Sequence, residues 1–325
     1  MKRPSYIPDN FVLAIIGMVV LASIWPAHGK AVPILSWMTN IAVALLFFLH
    51  GAKLSREAVI AGILHWRLHL LIFLSTFALF PVLGLIFQPL YQPLLGPVLS
   101  MGVLYICALP STVQSSIAFT SIARGNVPAA VCSASFSNLI GIFLTPLLVG
   151  LMFSVQSGSH AFSLDAVYKI IMLLLVPFIA GQIARRWIGA WVNKNKFWLK
   201  YVDQSSILLV VYGAFSDAVM NNIWQQLSIS LLVILVAISA ILLAIVMLIL
   251  IYGSRKLGFN KEDEIAIVFC GSKKSLATGV PIAQILFASQ PIGLLIIPIM
   301  IFHQLQLMVC AILANRYAKR KDSQH

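Results

Sequence analysis

Charged residues are scarce in this 325-residue chain: Asp, Glu, Lys and Arg together make up 10% of it, while 60% of the residues are hydrophobic. A soluble globular domain usually carries about 25% charged residues and about 45–50% apolar ones. A soluble fold of this length could not bury so much apolar surface, so most of the chain requires lipid as its solvent. The composition excludes a cytosolic enzyme, a disordered chain and a disulfide-stapled scaffold.

Acidic residues and cysteines are scarce in this chain. The nine Asp and Glu residues face 22 Lys and Arg, which gives a formal net charge of +13. The four cysteines lie in apolar runs without paired spacing, which indicates buried free thiols rather than a disulfide framework or a zinc site: Cys107, Cys132, Cys270 and Cys310. The charge excess indicates either a nucleic-acid partner or the positive-inside bias of a membrane protein.

Long apolar runs are abundant. A transmembrane helix needs about 20 mainly apolar residues to cross a core of about 30 Å. Ten segments meet this requirement: 10–27, 33–52, 68–88, 94–122, 127–154, 165–188, 204–221, 228–254, 264–288 and 291–315. The first segment resembles a signal peptide, but the distribution of charge along the chain requires it as a span.

The positions of the basic residues predict the orientation. With both termini in the cytoplasm, every Lys and Arg falls on the cytoplasmic side except Lys30, Lys169, Lys273 and Lys274. This is the pattern of the positive-inside rule. We therefore predict a multi-pass protein of the cell inner (plasma) membrane, with the lipid bilayer as its surroundings and no nucleic-acid partner.

Ten spans divide into two halves of five, and an odd number of spans inverts the second half. The halves would be residues 1–160, with spans 1–5, and residues 161–325, with spans 6–10. Two short echoes fall in corresponding spans: LHGA at 49–52 matches VYGA at 211–214, and QSSIA at 114–118 matches KKSLA at 273–277. At 1.5 Å per residue, Ser116 and Ser275 lie roughly 12 and 16 Å from the inner boundary. Both positions are therefore close to the middle of the bilayer.

Spans four and nine each contain a polar interruption. Pro110 is followed by STVQSSIAFTS at 111–121, and span nine contains GSKKSLATGVP at 271–281. Proline and helix-competing hydroxyls favour local unwinding, which a membrane tolerates only where the backbone is buried or lines a cavity. Paired interrupted helices in two inverted halves point to the binding site of a secondary transporter. The alternative is that these Ser and Thr residues only pack helices closely.

The candidate substrate or ion ligands follow from these interruptions and from polar residues in spans five and ten. They are Gln114, Ser115, Ser116, Lys273, Lys274, Ser275, Ser133, Ser137, His303 and Gln304. The membrane interior holds two lysines and no carboxylate, and ionisable groups there are functional candidates. Successive helical side chains point about 100° apart, so one cavity cannot receive both lysines from a regular helix. Lys273 is favoured as the cavity residue because it matches Gln114 in the repeat.

The chain carries no enzyme signature. It has no HExxH, no G-x-S-x-G and no intramembrane pair of carboxylates, and GSKKS lacks the glycines of a P-loop. We therefore expect neither catalysis nor a cofactor.

Three stretches resemble the bile acid:sodium symporter family, in particular its bacterial branch similar to sodium/bile acid cotransporter 7. They read LLFFLHGAKLSREAV, AFTSIARGNVPAAVCSAS and IVFCGSKKSLATG. The resemblance extends over essentially the whole chain. It implies ten helices in two inverted repeats, arranged as a panel domain and a core domain, with spans four and nine unwound where they cross beside two sodium sites.

The family's sodium positions are altered in this sequence. The resemblance places the family's Ser-Asn pair on Ser115 and Ser116 when counted forward from Pro110. Counted back from the Gly-Asn pair at 125–126, it falls on Ser116 and Ile117. The remaining positions fall on residues that change the chemistry: Thr76, Ala130, Ala134, Phe269 and Lys273. A carboxylate is lost and a cation is gained, and both changes oppose sodium binding. We expect no confident metal site, and the hypothesis is that the Lys273 ammonium takes the role of sodium.

The sequence thus predicts a secondary active transporter, a symporter of a small organic anion that works by alternating access. The substrate, the coupling ion (sodium, proton or none) and the oligomeric state are left open. The alternative is a membrane regulatory protein that keeps the transporter fold without transporting, and an intramembrane hydrolase ranks third.

Overall fold

The computed structural model describes residues 10–53, 65–157, 171–220, 222–287 and 290–320. All regular structure in these ranges is helical, and they contain no strand. Seven helical stretches in these ranges are long and apolar enough to cross a membrane, when Trp66–Ala108 and Lys261–Leu286 are each counted as one stretch. The prediction of an all-α, multi-pass membrane protein is therefore confirmed at this level. The predicted boundary between residues 160 and 161, the beginning of the sixth span and both termini lie outside the described residues.

The described residues of the first half form six helices and one π-helical turn. They are α1 (Asn10–Ile24), α2 (Ala31–Lys53), α3 (Trp66–Leu74), the π-helical turn Ser75–Leu79, α4 (Phe80–Ala108), α5 (Val113–Ile122) and α6 (Val127–Ser157). The residues between α4 and α5, 109–112, are not helical.

The stretch from α3 to the end of α4 folds back on itself. It has 43 residues and would be about 65 Å long if it were straight, twice the thickness of a bilayer core. Gly96, with φ 74° and ψ 176°, interrupts the helical backbone. Gly84 and Cys107, on opposite sides of Gly96, lie against each other: a Cβ added at Gly84 would be 2.8 Å from Cys107 Sγ. The left-handed conformation at Gly96 thus joins two contacting arms.

In the second half, the part of the chain that the structure describes forms one π-helical turn and seven helices. They are the π-helical turn Ile171–Leu175, α7 (Val176–Lys194), α8 (Lys196–Met220), α9 (Ile223–Gln226), α10 (Ile229–Lys256), α11 (Lys261–Gly271), α12 (Leu276–Leu286) and α13 (Ile292–Ala318). Two polar side chains define the starts of the pair α11 and α12. Asn260 accepts a hydrogen bond from Asp263 N, and Ser275 accepts one from Thr278 N, as helix N-caps do. Residues 272–275 separate the two helices.

The helices pack in two groups. In the first, α2 contacts α7 and α8, and α1 contacts α8. In the second, α11 and α12 are almost wholly buried among α3, α5, α6, α10 and α13. Helix α8 also contacts α12 and α13, so it connects the two groups. The interrupted pair of helices therefore lies at the centre of the protein rather than at the lipid surface.

Candidate functional site

The two non-helical stretches, 109–112 and 272–275, cross each other and are joined by hydrogen bonds. Ser275 N donates to Pro110 O at 2.8 Å, and Thr112 Oγ1 donates to Lys274 O at 2.9 Å. Backbone that leaves a helix inside a membrane needs new hydrogen-bond partners. At this crossing each stretch supplies partners for the other.

Hydroxyl groups satisfy the carbonyls at the end of α11. Ser111 Oγ donates to Cys270 O at 2.6 Å, Ser116 Oγ donates to Phe269 O at 3.0 Å, and Ser75 Oγ donates to Gly271 O at 2.9 Å. The last carbonyls of a helix have no partner within the helix. The serines of span four therefore hold the end of α11, and Ser116 is a packing residue rather than a cavity residue.

Lys274 is 1% exposed and its ammonium is held by backbone oxygens. Its Nζ donates to Thr76 O at 2.8 Å, to Cys107 O at 3.0 Å and to Leu109 O at 2.8 Å. The centroid of the Phe80 ring lies 4.1 Å from Nζ. This ammonium links the π-helical turn after α3 to the end of α4.

The backbone of Lys274 is held by α13. Lys274 N donates to Gln306 Oε1 at 2.8 Å, and Gln306 Nε2 donates to Lys274 O at 2.9 Å. Gln306 is missing from the residues predicted as site residues. Its position, three residues after His303 and thus on the same face of the helix, is the signal that could have identified it.

Lys273 has different surroundings. It is 0% exposed, and its Nζ has no hydrogen-bond partner among the described residues. The centroids of Phe119 and Phe269 lie 4.0 and 5.9 Å from this Nζ. Neither Lys273 nor Lys274 is among the described residues that line the cavity beside the crossing. The expectation that Lys273 faces the cavity is wrong for this conformation, because the break at 272–275 turns both lysines into the protein interior.

A cavity of about 880 Å³ lies beside the crossing. Five of the predicted site residues line it: Gln114, Ser115, Ser275, His303 and Gln304. Ser115 Oγ and Gln304 Oε1 have no hydrogen-bond partner among the described residues. Both atoms are buried although their residues line the cavity, and a buried polar atom without a partner is rare enough to mark these two positions as candidates.

The other predicted site residues lie outside the cavity lining. Thr76 Oγ1 donates to Ile72 O at 2.8 Å within its own helix, so Thr76 contributes its carbonyl rather than its hydroxyl. Ser133 Oγ forms a 2.6 Å hydrogen bond with His69 Nδ1, and Ser137 Oγ accepts a hydrogen bond from Ser111 N at 3.1 Å. These three residues therefore support the helices around the crossing.

The positions to which the resemblance assigns sodium ligands offer few side-chain oxygens. Ala130, Ala134 and Phe269 are completely buried and carry hydrocarbon side chains. Among the described residues there is no group of three or more His, Cys, Asp and Glu side chains that could hold a metal ion. The arrangement at the crossing is thus built on backbone carbonyls and hydroxyls.

One part of the cavity lining consists of polar and charged side chains of α2 and α8. It includes His50, Lys200, Asp203 and Gln204. The Asp203 carboxylate forms an ion pair with Lys53. This pair joins α2 to α8. Asp203 is the one carboxylate among the described lining residues, so the lining carries no unpaired negative charge.

Two further lining residues are bonded to each other across two helices. Asn138 of α6 and Thr278 of α12 both face the cavity, and Thr278 Oγ1 donates to Asn138 Oδ1 at 2.7 Å. Ser275 Oγ in turn donates to Thr278 Oγ1 at 3.0 Å. A chain of polar groups therefore runs from the crossing along one wall of the cavity.

Comparison with known proteins places the chain among transporters. A family model described as the SBF-like CPA transporter family matches residues 9–319. Protein PA2026 of Pseudomonas aeruginosa is 58% identical over 322 residues, which cover 99% of this chain and 96% of that protein. YfeH of Escherichia coli is 56% identical over 314 residues, 97% and 94% of the two chains.

A vertebrate relative confirms the resemblance seen in the sequence. Sodium/bile acid cotransporter 7 of the mouse is 32% identical over 309 residues, which cover 93% of this chain and 90% of that protein. The matches extend over nearly the full length on both sides and include both interrupted helices. The chain therefore belongs to the SBF-like CPA transporter family, in a bacterial branch similar to the bile acid:sodium symporters.

Proposed function

We propose that this protein is a secondary active transporter that carries a small organic anion across the inner membrane by alternating access. The observation that carries the proposal is the cavity of about 880 Å³ beside two interrupted helices, with Gln114, Ser115, Ser275 and Gln304 among its lining residues. Discontinuous helices at the midplane are typical of substrate sites in secondary transporters. Lys200 is the one Lys or Arg among the described lining residues, and the one carboxylate, Asp203, is ion-paired with Lys53; this balance favours an anion over a cation.

The proposed architecture has ten spans in two inverted repeats, 1–160 and 161–325. The hairpin from α3 to α4 supports the third span and the first part of the fourth. The interrupted pairs α4–α5 and α11–α12 correspond to spans four and nine. The panel domain would consist of helices α1, α2, α7 and α8. The core domain would consist of the remaining helices except the short α9.

With both termini in the cytoplasm, the cavity opens inward. Its lining includes Lys200 of α8 and Asn315 of α13, which lie near the helix ends that the charge distribution assigns to the cytoplasm. The described conformation would then be the inward-facing state. Movement of the panel helices against the core, with breakage of their contacts through α8, would close this mouth and open the opposite side.

We further propose that sodium coupling differs from that of the family's sodium sites, because Ala130, Ala134 and Phe269 supply no side-chain ligand. The sequence assigned the role of sodium to Lys273, and that assignment stays a hypothesis. The oxygen atoms that such a role needs surround Lys274 Nζ rather than Lys273 Nζ.

The experiment is a ligand-stabilisation screen of the purified protein against small organic anions, in sodium chloride and in choline chloride and over a range of pH. A ligand stabilises the folded state according to its concentration relative to Kd, so weak binders are detected at high concentration. Hits are then tested for uptake into proteoliposomes. The Ser115→Ala and Gln304→Ala variants should weaken binding of the hit, whereas Ser133→Ala, outside the cavity, serves as the matched control.

Saturable uptake that both cavity variants impair would support the proposal. A hit that binds without being taken up would favour the regulatory alternative. The absence of any anion that stabilises the protein would contradict the anion assignment.

A further inference from the structure

The surroundings of the Lys274 ammonium are those of a bound monovalent cation. Three backbone oxygens accept its hydrogen bonds, from Thr76, Cys107 and Leu109, and the face of Phe80 closes the fourth side. Oxygen ligands and an aromatic face are both favourable surroundings for a cation removed from water. We refer to these four groups as the carbonyl cage.

The first carbonyl of the cage is open because a proline follows the π-helical turn. In such a turn each carbonyl pairs with the N–H five residues later, and here Phe80 N donates to Ser75 O. The corresponding donor for Thr76 O would be residue 81. That residue is Pro81, which has no N–H.

A second proline opens the other side of the carbonyl cage. Pro110 cannot donate to Cys107 O, and Ser111 N donates to Ser137 Oγ instead. Leu109 lies directly before this proline, where the helical pattern ends. Buried carbonyls without a partner are costly, so the two prolines create a set of acceptors that requires a donor.

The carbonyl cage requires the charged form of the lysine. Three hydrogen bonds from one nitrogen to three carbonyl oxygens use three protons, and only the ammonium has three. A neutral amine would place its lone pair against one of the oxygens. No carboxylate among the described residues contacts this Nζ, so the carbonyls and the ring alone stabilise its charge.

We propose that Lys274 is a built-in cation and that the carbonyl cage is a monovalent-cation site, which a free ion can fill once the lysine side chain is removed. Ammonium is the closest match, since it offers the same donors as the lysine headgroup. The site itself does not depend on what the protein transports. Its consequence, that transport needs no free cation at this position, rests on the proposed function.

The test compares unfolding temperatures of the full-length, detergent-purified Lys274→Ala variant in ammonium, potassium, sodium and choline chloride at one ionic strength. In choline chloride the variant should unfold at a lower temperature than the wild type. Ammonium chloride should restore part of this loss, because a bound ion stabilises the folded state by mass action. The wild type should show the same unfolding temperature with ammonium as with choline.

Two variants control for unspecific salt effects. Lys274→Met keeps the stem of the side chain, so it should be destabilised without leaving room for an ion, and ammonium should not help it. Lys273→Ala removes a lysine that has no oxygen ligands and should likewise gain nothing specific from ammonium. The proposal is overturned if Lys274→Ala gains nothing from the three small cations relative to choline, or if the two controls gain as much.

A second variant keeps the proposal testable if Lys274→Ala does not fold. Pro81→Ala retains the lysine and restores an N–H that competes for Thr76 O. It should lower the unfolding temperature relative to Pro89→Ala, which restores an N–H at an exposed position in the same helix. Equal unfolding temperatures for these two variants would also overturn the proposal. None of these measurements involves transport, so their failure is distinguishable from failure of the proposed function.

Discussion

Gly51 and Gly181 hold α2 and α7 at a separation that does not accommodate a larger residue. A Cβ at Gly51 would lie 2.1 Å from Phe178 O, and a Cβ at Gly181 would lie 2.0 Å from Phe48 O. Real Cβ atoms essentially never approach another heavy atom within 3.0 Å. Gly181→Ala must therefore push the two backbones apart by about 1 Å, since a backbone carbonyl has no other rotamer to adopt.

The expected loss of stability follows from that displacement. Overpacking of a well-packed contact costs about 1–3 kcal/mol. Replacing glycine by alanine at an unobstructed helical position instead gains about 0.5–1 kcal/mol. Gly17 of α1 and Gly253 of α10 provide the controls, because a Cβ added there meets nothing within 4 Å among the described residues. The obstructed and unobstructed variants should therefore differ by about 2–4 kcal/mol.

The assay is thermal unfolding of the four alanine variants in one detergent. Gly51→Ala and Gly181→Ala should unfold below the wild type, and Gly17→Ala and Gly253→Ala at or above it. If Gly51→Ala and Gly181→Ala unfold at the same temperature as the controls, the close contact of α2 and α7 is not a determinant of stability.

Three further predictions concern charged residues. Lys273→Met should keep or raise the unfolding temperature, because it removes a buried charge without oxygen ligands. Lys274→Met should lower the unfolding temperature, because it leaves three carbonyls unsatisfied at about 1–3 kcal/mol each. Thermal unfolding of the two variants tests this contrast, and equal losses would contradict it. Glu264→Gln should lower the free energy of unfolding by about 1–3 kcal/mol, since the buried carboxylate accepts hydrogen bonds from Arg255, Lys261 and Tyr317. An unchanged stability in denaturant titration would be inconsistent with that role. Asp203→Asn should strengthen binding of an organic anion, because it removes the carboxylate from the cavity lining and frees Lys53. The effect should be larger at low salt. Weaker binding in the ligand-stabilisation assay would show that the ion pair shapes the site instead.

Two local signals in the sequence coincide with the two non-helical stretches, 109–112 and 272–275. Pro110 and the SKKS stretch mark the two places where helical hydrogen bonding stops, and the structure joins them through Ser275 N and Pro110 O. These signals are local, since a proline without an N–H and a run of hydroxyls act within one turn of the chain. Local signals of this kind are visible in a single sequence.

The directions of individual side chains could not be predicted in the same way. The rule that successive residues point about 100° apart holds for a regular helix, and residues 272–275 are not one. The contrast between Lys273, on two aromatic rings, and Lys274, on three carbonyls, depends on segments far away along the chain. The contribution of Asp203 and Asn138 to the cavity likewise arises from helix packing.

The three hydrogen bonds of Lys274 have a consequence for energetics. An ion in solution binds according to its concentration, so its gradient across a membrane can perform work when it binds on one side and leaves on the other. A cation that is covalently part of the chain cannot leave. Its position is filled on both sides of the membrane alike, and it transfers no free energy from one compartment to the other. If the protein transports as proposed, accumulation of substrate draws on the membrane potential or on an ion or counter-solute that binds elsewhere, and measuring which of these drives uptake identifies the energy source.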